Sequence, residues 1–151
     1  MTDRRIIHST FSLERVYQAS PARVFAAWAD PAVKARWFSP HGPHELDFRV
    51  GGREVNHARG PGGQDISFES HYHDIVAGQR IAYTSALSVA DTVVTVSLTT
   101  VELTPEGDST RLVLTEHGAF LDGHEQPDWR EQGTSQWLDA LGADLAGQPG
   151  S

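Results

Sequence analysis

Residues 20–38 read SPARVFAAWADPAVKARWF and hold two helix starts. Ser20 with Pro21, and Asp30 with Pro31, each join a side chain that accepts from an orphan backbone N–H to a residue with no N–H to leave unpaired. Behind the first start, Val24, Phe25 and Trp28 fall on one helical face. Behind the second, Val33 and Trp37 do the same, with Lys34 and Arg36 left for solvent. Helices this short and one-sided do not hold alone in water, so the rest of the chain must supply the surface they lie on.

That surface reads as strands. Residues 1–10 read as a flexible leader, and residues 11–17 (FSLERVY) alternate as a strand does. SPHGP at 39–43 breaks the chain, and residues 45–50 (ELDFRV) set Leu46, Phe48 and Val50 against charges, the pattern of a half-buried strand. Gly51 and Gly52 give a tight reversal into a weaker strand at 53–59, and GPGGQD at 60–65 gives a hairpin loop. In the long strand at 66–76 (ISFESHYHDIV), Ile66, Phe68, Ser70 and Tyr72 share one face, and Glu69, His71 and His73 the other. Asp74 and Ile75 break that phase, the mark of a bulge or an end. Strands at 80–87, 92–104 and 109–117 follow, then a loop at 120–127.

From Asp128 the period becomes four. Trp129, Gly133, Trp137, Leu141 and Leu145 mark one face of a helix of about five turns, with Leu138 beside them. Residues 147–151 read as a disordered tail. Strands joined by tight turns are antiparallel, and helices grouped rather than alternated make the class α+β. The expected architecture is a curved seven-stranded antiparallel sheet with two short helices after strand 1, a long C-terminal helix and an internal cavity, in one domain over residues 11–146.

Composition narrows the partners. A formal net charge of −8 on 151 residues repels phosphate backbones and anionic lipid, which argues against nucleic acid and membrane surfaces. No apolar run approaches the roughly 18 residues of a membrane span, and MTDRRIIHSTF has no signal-peptide core, so a cytoplasmic location is expected. The absence of cysteine removes disulfides, thiolate metal sites and cysteine nucleophiles.

Several pieces together resemble the START-like (SRPBCC) superfamily, whose birch-pollen-allergen-type architecture is called the helix-grip fold. They are SPARVFAAWADPAVKARWFSP at 20–40, DFRVGG at 47–52, FESHYHDI at 68–75, TVVTVSL at 92–98, TRLVLTEHG at 110–118 and QWLDALGADL at 136–145. The branch they look most like is named after the C-terminal domain of the activator of heat-shock-protein ATPase. The resemblance implies a deep, largely apolar cavity between sheet and C-terminal helix. It also implies relatives that bind lipids, hormones or polyketides, some of which cyclise or hydrolyse them. In that family the positions held here by Glu54 and Asn56 face the cavity and carry apolar residues, whereas alternation within this sequence buries Val55 instead.

Three function classes follow. The first is a binding protein for a hydrophobic or amphipathic small molecule, lined by Glu54, Asn56, Phe68, Ser70, Tyr72, Tyr83, Leu112, Leu114 and Trp137. The second is an enzyme of the cyclase, dehydratase or hydrolase kind with Glu54 or Glu116 as its acid, since a carboxyl facing an apolar cavity has its pKa raised. The third is a protein-interaction module like the chaperone-ATPase activator, for which the sequence offers nothing beyond the resemblance. If Glu54 faces an apolar cavity, Glu54→Leu is expected to be at least as stable as the wild type.

No cofactor and no metal are expected. His71 and His73 share a strand face with Glu69, a solvated pattern, although His57 beside them would make a three-nitrogen set. His41 and His44 flank a turn and read as loop residues, and the chain has no HExxH, GxSxG or phosphate-loop signature.

Overall fold

The computed structural model describes residues 4–147, so residues 1–3 of the expected leader and residues 148–151 of the expected tail lie outside the described residues. The elements are β1 (Ile6–Tyr17), α1 (Pro21–Ala29), α2 (Pro31–Phe38), β2 (His44–Leu46), β3 (Arg53–Arg59), β4 (Asp65–Val76), β5 (Arg80–Val89), β6 (Thr92–Glu106), β7 (Ser109–Leu121) and α3 (Pro127–Ala146). The seven strands form one antiparallel sheet in the order β1-β7-β6-β5-β4-β3-β2. The fold is α+β, with all three helices on one face of the sheet. No helix among the described residues is long and apolar enough to cross a membrane.

Both helix starts form as the sequence dictates. Ser20 Oγ accepts from Arg23 N at 3.2 Å, and Asp30 Oδ1 accepts from Ala32 N at 2.9 Å. The two helices meet through Trp28 and Trp37, whose rings are edge-on with centroids 4.9 Å apart, and Trp37 Nε1 donates to Ala27 O at 3.0 Å. The core between helices and sheet runs through Val24, Trp28, Ile81, Val101, Leu112 and Leu141.

Four expectations need correction. Residues 6–10 belong to β1, not to a leader, because β7 continues to Leu121 and pairs Ile6 with Leu121 and Thr10 with His117. The same pairing takes Phe120 and Leu121 out of the expected loop. The strand expected at 45–50 is only His44–Leu46. Its continuation folds back through Arg49 N to Asp47 O and Gly52 N to Arg49 O, a turn so close that a Cβ on Gly52 would collide with Asp47 O. Phe48 still reaches inward from that turn, its ring 5.0 Å from Tyr72 and 5.6 Å from Phe25. The phase break in β4 is a register shift between Tyr72 and Asp74.

The third correction concerns α3. Its inner face is Arg130, Thr134, Leu138, Leu141 and Leu145, one residue round from the expected face, and Trp129 is 61% exposed. Each residue turns a helix by about 100°, so once Arg130 points inward toward carboxylates, Trp129 is carried to the rim. The fourth is Lys34. It does not reach solvent but is 1% exposed inside the core, whereas Arg36 stays at the surface and pairs with Asp144 at 2.8 Å.

Candidate functional site

Among the described residues, two buried ionic clusters and an aromatic-walled groove lie between sheet and helices. The first cluster is built on α2, β2, β3 and β4. Lys34 Nζ donates to Glu54 Oε1 at 2.7 Å, the Tyr72 hydroxyl donates to the same oxygen at 2.7 Å, and His44 Nε2 meets Glu54 Oε2 at 2.7 Å. An ionised carboxylate only accepts, so His44 Nε2 carries the proton. The Lys34 ammonium lies 4.5 Å from the Phe38 ring centroid and 5.1 Å from that of Trp28, close enough for cation–π attraction.

Burial pushes the Glu54 carboxyl up, but the Lys34 charge and the hydrogen bonds from His44, Lys34 and Tyr72 outweigh it and hold the pKa at about 2. The raised pKa expected of Glu54 is therefore reversed, because the cavity wall it faces contains an ammonium. Burial pulls the Lys34 ammonium below the ordinary lysine range, and Glu54 opposes that pull. Burial and the neighbouring Glu54 charge push the Tyr72 hydroxyl up.

A pH dependence follows. A carboxyl whose folded pKa is depressed gives stability that is full above its ordinary value of 4.5 and is lost as pH falls through about 2. Denaturant unfolding across that window is expected to show a steeper loss for the wild type than for a Lys34→Met/Glu54→Leu variant. Equal slopes would contradict the ion pair.

The second cluster joins β6, β7 and α3. Arg130 Nη1 donates to Glu116 Oε2 at 3.1 Å, and Nη2 and Nε donate to the two oxygens of Glu125 at 3.1 and 3.3 Å. Thr99 Oγ1 caps Glu116 at 2.8 Å and Thr95 Oγ1 caps Glu125 at 2.6 Å. Burial raises the Glu116 pKa, with Arg130 and Thr99 working against the rise.

The groove lies above this second cluster, between the N-terminal half of α3 and the edge formed by β3, β4 and β5. Its volume is about 220 Å³, larger than the roughly 150 Å³ cavity that accepts a benzene ring. Phe68, Leu87, Trp129 and Trp137 give it apolar walls, and Asn56, Glu125 and Arg130 give it polar ones. Behind it lies a closed void of only about 10 Å³, touched by Trp28, Tyr83, Leu114 and Glu116. Phe68 and Trp137 border both spaces, with ring centroids 6.0 Å apart, and Phe38 stacks 4.4 Å from Trp137. These three rings separate the groove from the Lys34 cluster. A larger depression of about 340 Å³ at the β2–β3 turn is walled by Glu45, Asp47, Arg49 and Arg53 and has no aromatic ring in its lining.

The residues singled out from sequence divide accordingly. Asn56, Phe68 and Trp137 line the groove. Asn56 also accepts from Ser39 Oγ at 2.5 Å, fastening the end of α2. Glu54 and Tyr72 form the first cluster, and Ser70 bonds Ser85 at 2.7 Å in the buried sheet. Tyr83 and Leu114 border the closed void, and Leu112 is wholly buried core. Glu54 and Val55 are both buried, on opposite faces of β3, so the two phases weighed for this strand are both occupied. His71 and His73 face outward against Glu69 and Thr84. Among the described residues no three His, Asp or Glu side chains converge as a metal shell.

Sequence reasoning missed Lys34, His44, Glu125, Trp129 and Arg130. Lys34 stands three and four residues before Trp37 and Phe38, on their helical face, which was a readable signal. Arg130 precedes Thr134, Leu138, Leu141 and Leu145 at helical spacing, but Trp129 and Trp137 drew the expected face one residue away from it. His44 and Glu125 carry no such signal, since their positions depend on strand pairing and on the loop before α3.

A curved antiparallel sheet closed by a C-terminal helix, with a groove between them, makes this a START-like protein of the helix-grip class. The chain belongs to the family described as Activator of Hsp90 ATPase homolog 1-like protein, which matches residues 18–146. Among solved structures, an uncharacterized protein from Rhizobium leguminosarum is 39% identical over 96% of this chain and 99% of that one, with a TM-score of 0.92. The Mll3558 protein from Rhizobium loti is 45% identical over 93% of this chain and 99% of that one, with a TM-score of 0.87. CalU16 from Micromonospora echinospora, 21% identical over 96% of this chain and 86% of that one with a TM-score of 0.65, shares the fold. No curated protein matches the chain.

Proposed function

We propose that the protein binds a small amphipathic molecule in the groove between α3 and the β3–β5 edge. The observation that carries this reading is the groove's wall chemistry. Trp129 is 61% exposed, yet it stands beside Trp137, Phe68 and Leu87 over a polar floor. An indole left in water beside other apolar walls, with a few fixed polar groups below, is the arrangement of a ligand site. The narrow void behind the groove implies a ligand that fills the groove without entering the core.

An acid–base enzyme is the second reading, favoured by one observation. Glu116 is a buried carboxyl with a raised pKa, held by Thr99 and Arg130 beneath the groove. A substrate would have to part Phe68 and Trp137 to touch it, so binding comes first.

Gly133 supplies the test. It lines the groove, and a Cβ built there meets nothing within 4 Å. Gly133→Leu is expected to fill the groove and weaken a neutral fluorescent probe, naphthylmethanol, at least tenfold. The same change replaces a helix-interior glycine, so stability should hold or rise by up to about 1 kcal/mol. Full-strength probe binding by a stably folded Gly133→Leu variant would refute the groove as the site.

A further inference from the structure

The charges at the floor of the groove, where Glu125 and Arg130 lie, and just behind it, where Glu116 lies, are unbalanced. Two carboxylates, Glu116 and Glu125, share the single guanidinium of Arg130. Arg130 spends Nε and Nη2 on Glu125 and Nη1 on Glu116 and Ser97, so all three nitrogens are engaged. Those bonds use four of the five guanidinium N–H groups, so an anionic ligand would meet one remaining N–H beside the Glu125 carboxylate, with the Glu116 carboxyl behind it. Glu125 is the most solvent-accessible of the three side chains, at 16% against 5% for Arg130 and 6% for Glu116. Three donors reach its oxygens, from Nε and Nη2 of Arg130 and from Thr95. A carboxylate has about four acceptor positions, which leaves room for one more donor from the groove side.

The walls favour the same partner. Indole and phenyl faces attract cations, and the Arg130 guanidinium already lies 5.4 Å from the Phe68 ring centroid. Trp129 and Trp137 offer further rings at the groove itself. The net charge of −8 raises the local concentration of cations around the molecule.

We infer that the ligand of this groove is an amphipathic cation, an organic amine whose apolar body lies against Trp129, Trp137 and Phe68 and whose ammonium donates to Glu125. The inference rests on the groove being the binding site, and it adds the chemical class of what binds there. No covalent step is involved. The ammonium exchanges water for a charge-assisted hydrogen bond and aromatic faces.

Three probes with one apolar body separate this inference from the reading beneath it: naphthylmethylamine, naphthylmethanol and naphthoate, titrated into the full chain at neutral pH. The amine is expected to bind about tenfold tighter than the alcohol, and the carboxylate weakest of the three. Glu125→Gln is expected to bring the amine-to-alcohol affinity ratio close to one. Should that variant fold poorly, Trp129→Ala reads the same preference from an exposed position, and it is expected to lower the amine's affinity more than the alcohol's. If the alcohol binds and the amine binds no better, or the carboxylate binds tightest, the cation inference fails while the groove stands. A ratio unmoved by both substitutions also overturns it. If none of the three probes binds, both readings fall.

Discussion

Glu54→Leu is expected to destabilise the protein by about 3–5 kcal/mol, the usual cost of stripping one partner from a buried ion pair. The change itself is favourable to an apolar site, and from sequence alone it is expected to be neutral or better. The reversal comes from Lys34, whose ammonium is 1% exposed and donates to Glu54 at 2.7 Å. With Glu54 gone, that charge keeps only its aromatic neighbours and the Tyr72 hydroxyl at 3.3 Å, and His44 loses its acceptor. Adding Lys34→Met removes the stranded charge, so the double variant is expected to be more stable than Glu54→Leu alone. A double-mutant cycle measures that coupling directly. Urea unfolding in which Glu54→Leu matches the wild type would contradict the buried ammonium.

Arg130→Met is expected to cost a similar amount, about 3–5 kcal/mol, because it leaves Glu116 and Glu125 facing each other across the space the guanidinium filled. This loss has a pH signature of opposite sign to that of Glu54. Glu116 has a folded-state pKa above its ordinary value of 4.5, so its folded form holds a proton more tightly than the unfolded chain does. Such a group gains stability as pH falls through its folded pKa toward the ordinary value. Removing Arg130 removes one of the influences that hold that pKa down, so protonation rescues the variant sooner. The gap between wild type and Arg130→Met is expected to narrow as pH falls from neutral toward the ordinary carboxyl value of 4.5. A gap that stays constant over that range would mean the carboxylates find other partners.

The fold was readable from sequence because its strongest signals are local. Ser20 and Asp30 cap the two helices wherever the chain goes, and the alternation in residues 66–76 sets the faces of β4 before any partner strand is known. The end of β7 was not readable, because residues 118–121 are held by β1 and carry little pattern of their own. The site was less legible for a related reason. Charge on Lys34 argued for solvent, and Trp129 and Trp137 drew the expected face of α3 away from Arg130; each went inside because a carboxylate distant in sequence waited there: Glu54, 20 residues on, for Lys34, and Glu116, 14 residues back, for Arg130. Burial of a charge is decided by the pair and not by the residue, so a pattern read one residue at a time places both outside. Phe68 and Trp137 were found because their burial follows periodicity. Glu125 follows none, since it stands in the loop that leads into α3.

The four tryptophans offer the most direct measurement of where a ligand binds. Trp129 and Trp137 line the groove, whereas Trp28 and Trp37 lie in the core, with Trp37 Nε1 bonded to Ala27 O at 3.0 Å. Each indole N–H gives its own signal in a ¹⁵N-correlated NMR spectrum, so a titration with naphthylmethylamine reports on all four sites at once. The Trp129 and Trp137 signals are expected to move together and saturate at one ligand per chain, with those of Trp28 and Trp37 unmoved. Movement of the Trp28 and Trp37 signals, or saturable binding that leaves Trp129 and Trp137 still, would contradict binding in the groove.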